Sequence, residues 1–356
     1  MRTPSPTPPR SNHDPPISHQ PPNASGKPPR RRSLLAAACL LGLPLAAAAQ
    51  DAARDYPSKT ITLIVPYAAG GSSDVRARQI AQKISVTLGQ SVIVDNKPGA
   101  NGNIGTNAIA KAAPDGHVIG LGNLAPLAVN KTLMPNTPFD PATDLVPVIL
   151  LEKGPLVLVV NAEKSPHKSL KDLIGALKAA PGKMSYASAG SGGSFHLAGE
   201  MFKSSVGASA VHIPYRGGGP ATNDLLAGQV DYMFDMVPAA LGYLKSAPPK
   251  LRPLAVAHDK RLPSLPDVPT FAELGVKDME ISNWFGIVAP KGTPKPIIDK
   301  LNQAINRALQ EPDLAQRITA PGNVVGGGDP KAFADLVVAE SRRWTQLIRE
   351  KGIKPE

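Results

Sequence analysis

Apolar positions along the chain follow two alternating periods. Residues 60–66 place Ile61, Leu63, Ile64 and Val65 in near succession, which reads as a buried strand broken by Pro66, Gly70 and Gly71. From Ser73 onward Ala77, Ile80, Ala81, Ile84 and Leu88 recur at three- and four-residue spacing, so one helical stripe faces a core while Arg76, Gln79 and Lys83 face water. Ser72 or Ser73 is placed to cap that helix. Strands are predicted at 91–95 and 117–121 with a small-residue helix at 103–112 between them, then two apolar strands at 148–151 and 156–160. The pattern restarts with a helix at 169–180, a strand at 183–188, a Gly/Ser loop at 189–194 and a helix at 195–205. Strands at 210–214, 230–235, 251–257 and 281–288 follow, with a helix at 221–227. Helices at 296–310 and 330–351 close the chain, the last capped by Asp329 with Pro330 in its first turn. Strand alternating with helix predicts an α/β fold with mixed, mostly parallel sheets.

The first 50 residues follow neither period. Residues 1–29 are proline-rich and polar and are expected to be disordered. Arg30, Arg31 and Arg32 precede a Leu/Ala run to Ala49, broken by Pro44. A basic segment, a short apolar segment and small residues at the end read as an export signal cleaved near Ala49, through either the general secretory or the twin-arginine route. The predicted location is periplasmic. The lone cysteine, Cys39, lies within that signal, which removes disulfides and thiolate metal sites from the remainder.

The formal charge of +11 falls to a mild excess once residues 1–50 are set aside, because six Lys/Arg and one Asp lie there. A mildly positive surface steers small anions. No basic run is interleaved with aromatics, so nucleic acid is not a predicted partner. Only 15 aromatic residues (Gly and Pro are far commoner) argue against stacking on sugars.

Two stretches carry candidate chemistry. Tyr67 to Asp74 and Ser188 to Ser194 each place a Gly/Ser loop between a strand and a helix, so unpaired N–H groups at a helix N-terminus could hold a carboxylate or phosphate. An ordinary βα turn accounts for either loop alone; the repeat favours an anion cleft between two α/β lobes, closed by hinge bending. The hinge is expected where the chain leaves the first lobe near Leu156 and returns near Trp284. Ser191 within Ala189 to Gly193 lies one residue from a Gly-x-Ser-x-Gly nucleophile elbow, with His196 or His212 as imaginable bases, yet the first glycine is missing. His196 and Glu200 stand four apart on one helix without a further ligand motif, so no metal and no cofactor is predicted.

The motifs Ile64-Val-Pro-Tyr-Ala-Ala-Gly-Gly-Ser-Ser-Asp74, Val94-Asp-Asn-Lys-Pro-Gly-Ala-Asn-Gly-Asn-Ile-Gly105, Tyr186-Ala-Ser-Ala-Gly190 and Pro214-Tyr-Arg-Gly-Gly-Gly-Pro-Ala221 occur in order. With Asp224 to Asp231, Val268 to Gly275 and Trp284-Phe-Gly286, they make the chain resemble the Bug (TctC) family of periplasmic solute receptors of tripartite tricarboxylate transporters, over residues 55–354. The resemblance implies a two-lobed periplasmic-binding-protein fold with crossover strands as hinge, lobe 1 being 55–156 plus 284–356 and lobe 2 being 157–283. It implies a monomer that is no enzyme and that presents a di- or tricarboxylate, amino acid or aromatic acid to a membrane permease; the alternatives are a receptor feeding a signalling partner and, from the elbow-like motif around Ser191, a serine hydrolase.

Carried over to this sequence, the implied first-lobe contacts are Tyr67, Ala68, Gly71, Ser72 and Asp74, with Asn123 and Ala125 nearby. The second-lobe contacts are Ser188, Ala189, Gly190, Gly193, Ser194 and His196, then Tyr215, Arg216, Gly217 and Asp235. Arg216 stands where the family more often has Lys, and residues 123–125 replace a hydroxyl-rich loop. Arg216 could pair with a ligand carboxylate or with a neighbouring acid. Asp74, in a first helical turn, could serve the helix instead of a ligand, and Asp235, if it reaches the cleft, would suit a ligand amine.

Overall fold

The computed structural model describes residues 54–354; the predicted polar lead and export signal lie outside them. The strands are β1 (Ile61–Val65), β2 (Val92–Asn96), β3 (Val118–Asn123), β4 (Leu145–Asn161), β5 (Ser185–Ser188), β6 (Val211–Pro214), β7 (Tyr232–Met236), β8 (Leu251–Ala257), β9 (Ser282–Pro290) and β10 (Val324–Gly327). The helices are α1 (Ser72–Leu88), α2 (Asn103–Ala110), α3 (Asn130–Leu133), α4 (Pro141–Asp144), α5 (Leu170–Ala179), α6 (Ser194–Val206), α7 (Gly218–Ala227), α8 (Val237–Leu244), α9 (Lys295–Gln310), α10 (Pro312–Thr319) and α11 (Pro330–Lys351).

The strands join in the order β2-β1-β3-β9-β4-β7-β5-β6, with β8 and β10 also on β4. The outer trios are parallel, β1 with β2 and β3, and β5 with β6 and β7. Every pair made by β4 or β9 is antiparallel. Two parallel α/β halves are therefore connected through long strands that run against them, which is a two-lobed α/β fold.

β4 replaces the two separate strands expected at 148–151 and 156–160. Residues 145–155 oppose β9, and from Leu156 the same strand opposes β7 and β8. Glu152 to Pro155 looks like a polar break, but Glu152 is buried by Arg76, whose Nε and guanidinium nitrogen donate to its two carboxylate oxygens at 2.8 and 2.9 Å. Asn323 Nδ2 adds a third donor at 2.7 Å. Arg76 consequently faces the core, not water as its place in the helical pattern suggested. Bidentate pairing makes such burial tolerable, since a lone buried charge is expensive.

Each half has an apolar core. Ile61, Leu63, Ile80 and Ile84 fill the first, and Tyr186, Phe202, Tyr232, Phe234 and Phe271 the second. Trp284, near which the chain is expected to return to the first lobe, is fully buried and meets Phe333 edge-on with centroids 5.6 Å apart. The Asp329 cap is present, its Oδ1 accepting from Ala332 N at 2.7 Å.

Candidate functional site

The carboxyl ends of β1, β3, β5 and β6 meet between the halves, and three helices begin there. The N-caps of α1, α6 and α7 are Gly71, Gly193 and Gly217, and none supplies a side-chain hydrogen bond. The caps thus differ from the serine cap expected for α1: Ser72 and Ser73 are its first two helical residues. The first helical bonds run from Val75 N to Gly71 O (3.1 Å) and from Leu197 N to Gly193 O (2.9 Å). The N–H groups of Ser72, Ser73, Ser194 and Phe195 therefore have no partner within their helices.

An inner cavity of about 30 Å³ lies among these termini, bounded by Tyr67, Ser72, Ser73, Asn101 and Asn123 from one half and by Ala189, Gly193, Ser194, Phe195 and Gly218 from the other. Asn283 and Phe285 of β9 form its remaining wall. An outer cavity of about 380 Å³ adjoins it, shares Tyr67, Asn101 and Ala189, and continues past Gly190 and Ser191 to Tyr215 and Arg216. Tyr67 Oη donates to Asn123 Oδ1 at 2.9 Å, and burial pushes the phenol's pKa up.

The halves touch beside the cavity through backbone. Ala68 N donates to Arg216 O at 2.9 Å. A Cβ on Gly71 would sit 3.3 Å from the nitrogens of Gly218 and Gly219, and one on Gly219 would sit 2.7 Å from Ala69 O. Gly217, at φ +146, also needs to be glycine for its backbone conformation.

Several of the predicted site residues stand under the loops. Asp74 accepts from Gly70 N (3.1 Å), Asn96 Nδ2 (3.1 Å) and Arg78 Nε (3.1 Å), so it ties its own loop to β2. Burial pushes its carboxyl up, but the Arg78, Gly70 and Asn96 donors outweigh this and hold it below the usual carboxylate value. Ser188 Oγ accepts from Gly190 N at 3.1 Å and pairs with His212 Nε2 at 2.6 Å. His196 Nδ1 accepts from Gly192 N at 3.0 Å, which places its proton on Nε2. Burial drives His196 down to about 4 and, with His196 adding to it, His212 down to about 3, so both rings are neutral at pH 7. The serine that meets a histidine is therefore Ser188, fully buried, and not Ser191 of the elbow-like motif.

Ala125 is buried in the turn after β3. Asp235 lines a separate cavity of about 200 Å³ behind the glycine contact, together with Gly70, Gly71, Thr222 and Tyr243. It accepts from Met236 N at 2.8 Å, and burial pushes its carboxyl up to about 7. Arg216 is exposed at the outer cavity, and the Tyr215 hydroxyl donates to Asp224 at 2.7 Å. Among the described residues, no group of three or more His, Cys, Asp or Glu could hold a metal ion.

Sequence reasoning passed over Ser73, Asn101, Phe195, Gly218, Asn283 and Phe285. A signal existed for Asn101, which occupies the left-handed region at φ +61 within Gly99 to Gly102, where asparagine is favoured after glycine. Asn283 gave none, being a polar residue in a strand of apolar ones.

The family model described as "Tripartite tricarboxylate transporter family receptor" matches residues 76–353. Protein BugT of Bordetella pertussis is 42% identical over 308 residues, 86% of this chain and 94% of that protein. A solved R. palustris structure with adipate is 35% identical with a TM-score of 0.81, covering 85% of this chain and 100% of the other. MatC from Rhodopseudomonas palustris, with bound malate, is 34% identical with a TM-score of 0.78, covering 82% and 100%.

Proposed function

Because the chain belongs to the tripartite tricarboxylate transporter receptor family, a family of periplasmic solute receptors and not of enzymes, we propose that it captures a small carboxylate between its lobes and delivers it to membrane permease subunits. The observation that carries this reading is the convergence of three helix N-termini, none with a side-chain cap, on one cavity. Each brings about half a positive charge and free N–H donors, and a carboxylate satisfies both at once. The adipate and malate in the related structures are acids of this class.

Capture proceeds in three steps. With the lobes apart, water covers the loops and the mildly basic surface draws the acid in. The carboxylate takes the amides of Ser72 and Ser73 on one lobe and of Ser194 on the other, so that a single group bridges both. The Ala68 to Arg216 bond and the glycine contact then close beside it, while the remainder of the acid occupies the outer cavity near Arg216. Ligand contacts are assigned to Tyr67, Ser72, Asn123, Ala189, Gly190, Gly193, Ser194 and Arg216. Asp74, Ser188 and His196 are assigned to holding the loops in shape.

The lobes are proposed to divide at residues 156–157 and 283–284, and the protein to act in the periplasm as a monomer after removal of a signal ending near Ala49. A thermal-shift screen of mono-, di- and tricarboxylates, amino acids and aromatic acids, with product analysis of each mixture, tests the reading. One acid at 100 times its Kd should add about 2.7 kcal/mol of stability with no product formed. Flat melting curves throughout, or turnover of an ester or amide, would overturn it.

A further inference from the structure

We infer that closing the lobes on an acid makes this receptor take up a proton at Asp235, so that capture is linked to pH. The inference rests on the closure read above. Asp235 lies near the carboxyl end of β7 and lines the cavity of about 200 Å³ behind the glycine contact. One wall of that cavity is Ala69, Gly70 and Gly71 of the first half, and Gly218, Gly219 and Thr222 of the second half face it. The walls are held together by the Ala68 to Arg216 bond and by Gly71 against Gly218, so the cavity is shut only while the lobes are.

In this closed form Asp235 is 1% exposed. Its Oδ1 accepts from Met236 N at 2.8 Å, but Oδ2 has only a long contact, 3.4 Å, from Thr222 Oγ1. Among the described residues no other charged side chain lines the cavity. Strand β4 sets Val157 opposite Asp235, and α8 contributes Ala239 and the phenol of Tyr243. On α6, Lys203 pairs with Glu200 and His196 accepts from Gly192, while Tyr186 of β5 donates to Glu200. Asp224 of α7 takes the Tyr215 hydroxyl. Across the glycine loop, Asp74 and Arg78 pair with each other.

An ionised carboxylate in that setting, without a counter-charge, costs far more than a neutral acid. Burial accordingly pushes Asp235 up to about 7. The contacts also accommodate the proton. Placed on Oδ2, it reverses the long bond, so that Asp235 donates to Thr222 Oγ1 and the Thr222 hydroxyl turns to Met233 Sδ, 3.8 Å away.

With the lobes apart, Ala69 to Gly71 withdraw and water reaches the carboxyl through the missing wall, which favours its ionised form. The closed form therefore holds more protons than the open one. By linkage, affinity for the acid is highest at low pH, falls as pH rises through about 7, and levels off once the closed form is ionised too. Asp235 does this without touching the acid, because it lies outside the inner cavity.

Calorimetric titration of the purified protein at about pH 6.5 in two buffers of different ionisation heat measures the uptake. The probes are malate and adipate and, where neither raises the melting temperature, the acid of the panel that raises it most. About a quarter to three quarters of a proton should be taken up per acid bound, and Kd should rise about three- to tenfold between about pH 6 and pH 8. In Asp235→Asn both effects should vanish. Infrared difference spectra of the wild type give a second readout that needs no variant: the band of a protonated carboxyl group should grow when the acid binds. Uptake below about a tenth of a proton, or no growth of that band, overturns the inference and leaves the carboxylate reading standing. Unchanged uptake in folded Asp235→Asn overturns it by placing the proton elsewhere. Failure of every acid of the panel overturns the carboxylate reading beneath it.

Discussion

Gly71→Val isolates lobe closure from lobe folding. Gly71 has φ −85 and ψ 172, an extended conformation open to any residue, so the substitution introduces no backbone strain. Its added Cβ would stand 3.3 Å from the nitrogens of Gly218 and Gly219, and the two methyl groups would extend beyond it into the opposite loop. The lobes must then separate locally. Loss of the Ala68 to Arg216 bond costs about 1 kcal/mol, and forcing extra methyl groups into a packed contact costs about 1–3 kcal/mol. At about 1.4 kcal/mol per tenfold, the sum of roughly 2–4 kcal/mol weakens ligand binding about 30- to 1,000-fold. With the lobes open, position 71 faces water, so unliganded stability should stay within about 0.5 kcal/mol of wild type. Calorimetric titration with the acid found in the thermal-shift screen, alongside urea unfolding of the unliganded protein, reads both quantities. An unchanged Kd in a folded variant would refute the closing role of the glycine contact, and a large loss of unliganded stability would show that Gly71 serves folding instead.

Three further outcomes follow from particular contacts. Glu152→Ala leaves Arg76 buried without its bidentate partner and should cost about 3–5 kcal/mol in urea unfolding; a loss under 1 kcal/mol would mean that water reaches Arg76. Gly175, exposed in α5 with open space at its Cβ position, should as Ala gain about 0.5–1 kcal/mol without altering affinity, and a lower melting temperature would contradict the helix as described. Asp235 is raised by burial from 3.8 to about 7, so between those values the folded chain keeps a proton the unfolded chain has released; its contribution is complete below about 4 and is lost as pH rises through about 7. His196 and His212, lowered by burial from 6.5 to about 4 and about 3, contribute fully above about 6.5 and lose this as pH falls. The histidine contributions are common to both proteins, so the melting temperature of wild type relative to Asp235→Asn should fall as pH rises from about 4 through about 7, and parallel curves would exclude Asp235 as the titrating group.

Periodicity revealed the elements whose faces differ. α1 and α11 announce themselves by a stripe and, for α11, by the Asp329-Pro330 start. α8 is apolar on every side, so no 3.6-residue contrast exists to find it. α10 starts with Pro312 in its first turn, where the same residue also reads as a stop after α9. The long β4 was hidden because Glu152 and Lys153 interrupt its apolar run, and the partner that makes Glu152 tolerable is Arg76, 76 residues earlier. The site divides in the same way. Glycine loops are visible locally, which made Gly71, Gly190, Gly193 and Ser194 nameable. The distinction between a residue facing the cavity and one bracing the loop, as for Ser188 and His196, depends on which neighbour each side chain reaches, and Asn283 enters only because β9 crosses between the halves.

The central claim, that helix N-termini and loop amides hold a carboxylate, is tested most directly by titrating the purified protein with one acid of the screen and with its uncharged amide of the same shape. The account predicts one-site binding of the acid and at least a hundredfold weaker binding of the amide, since charge-assisted bonds contribute about 1.5–3 kcal/mol each. Equal affinity for acid and amide would contradict it.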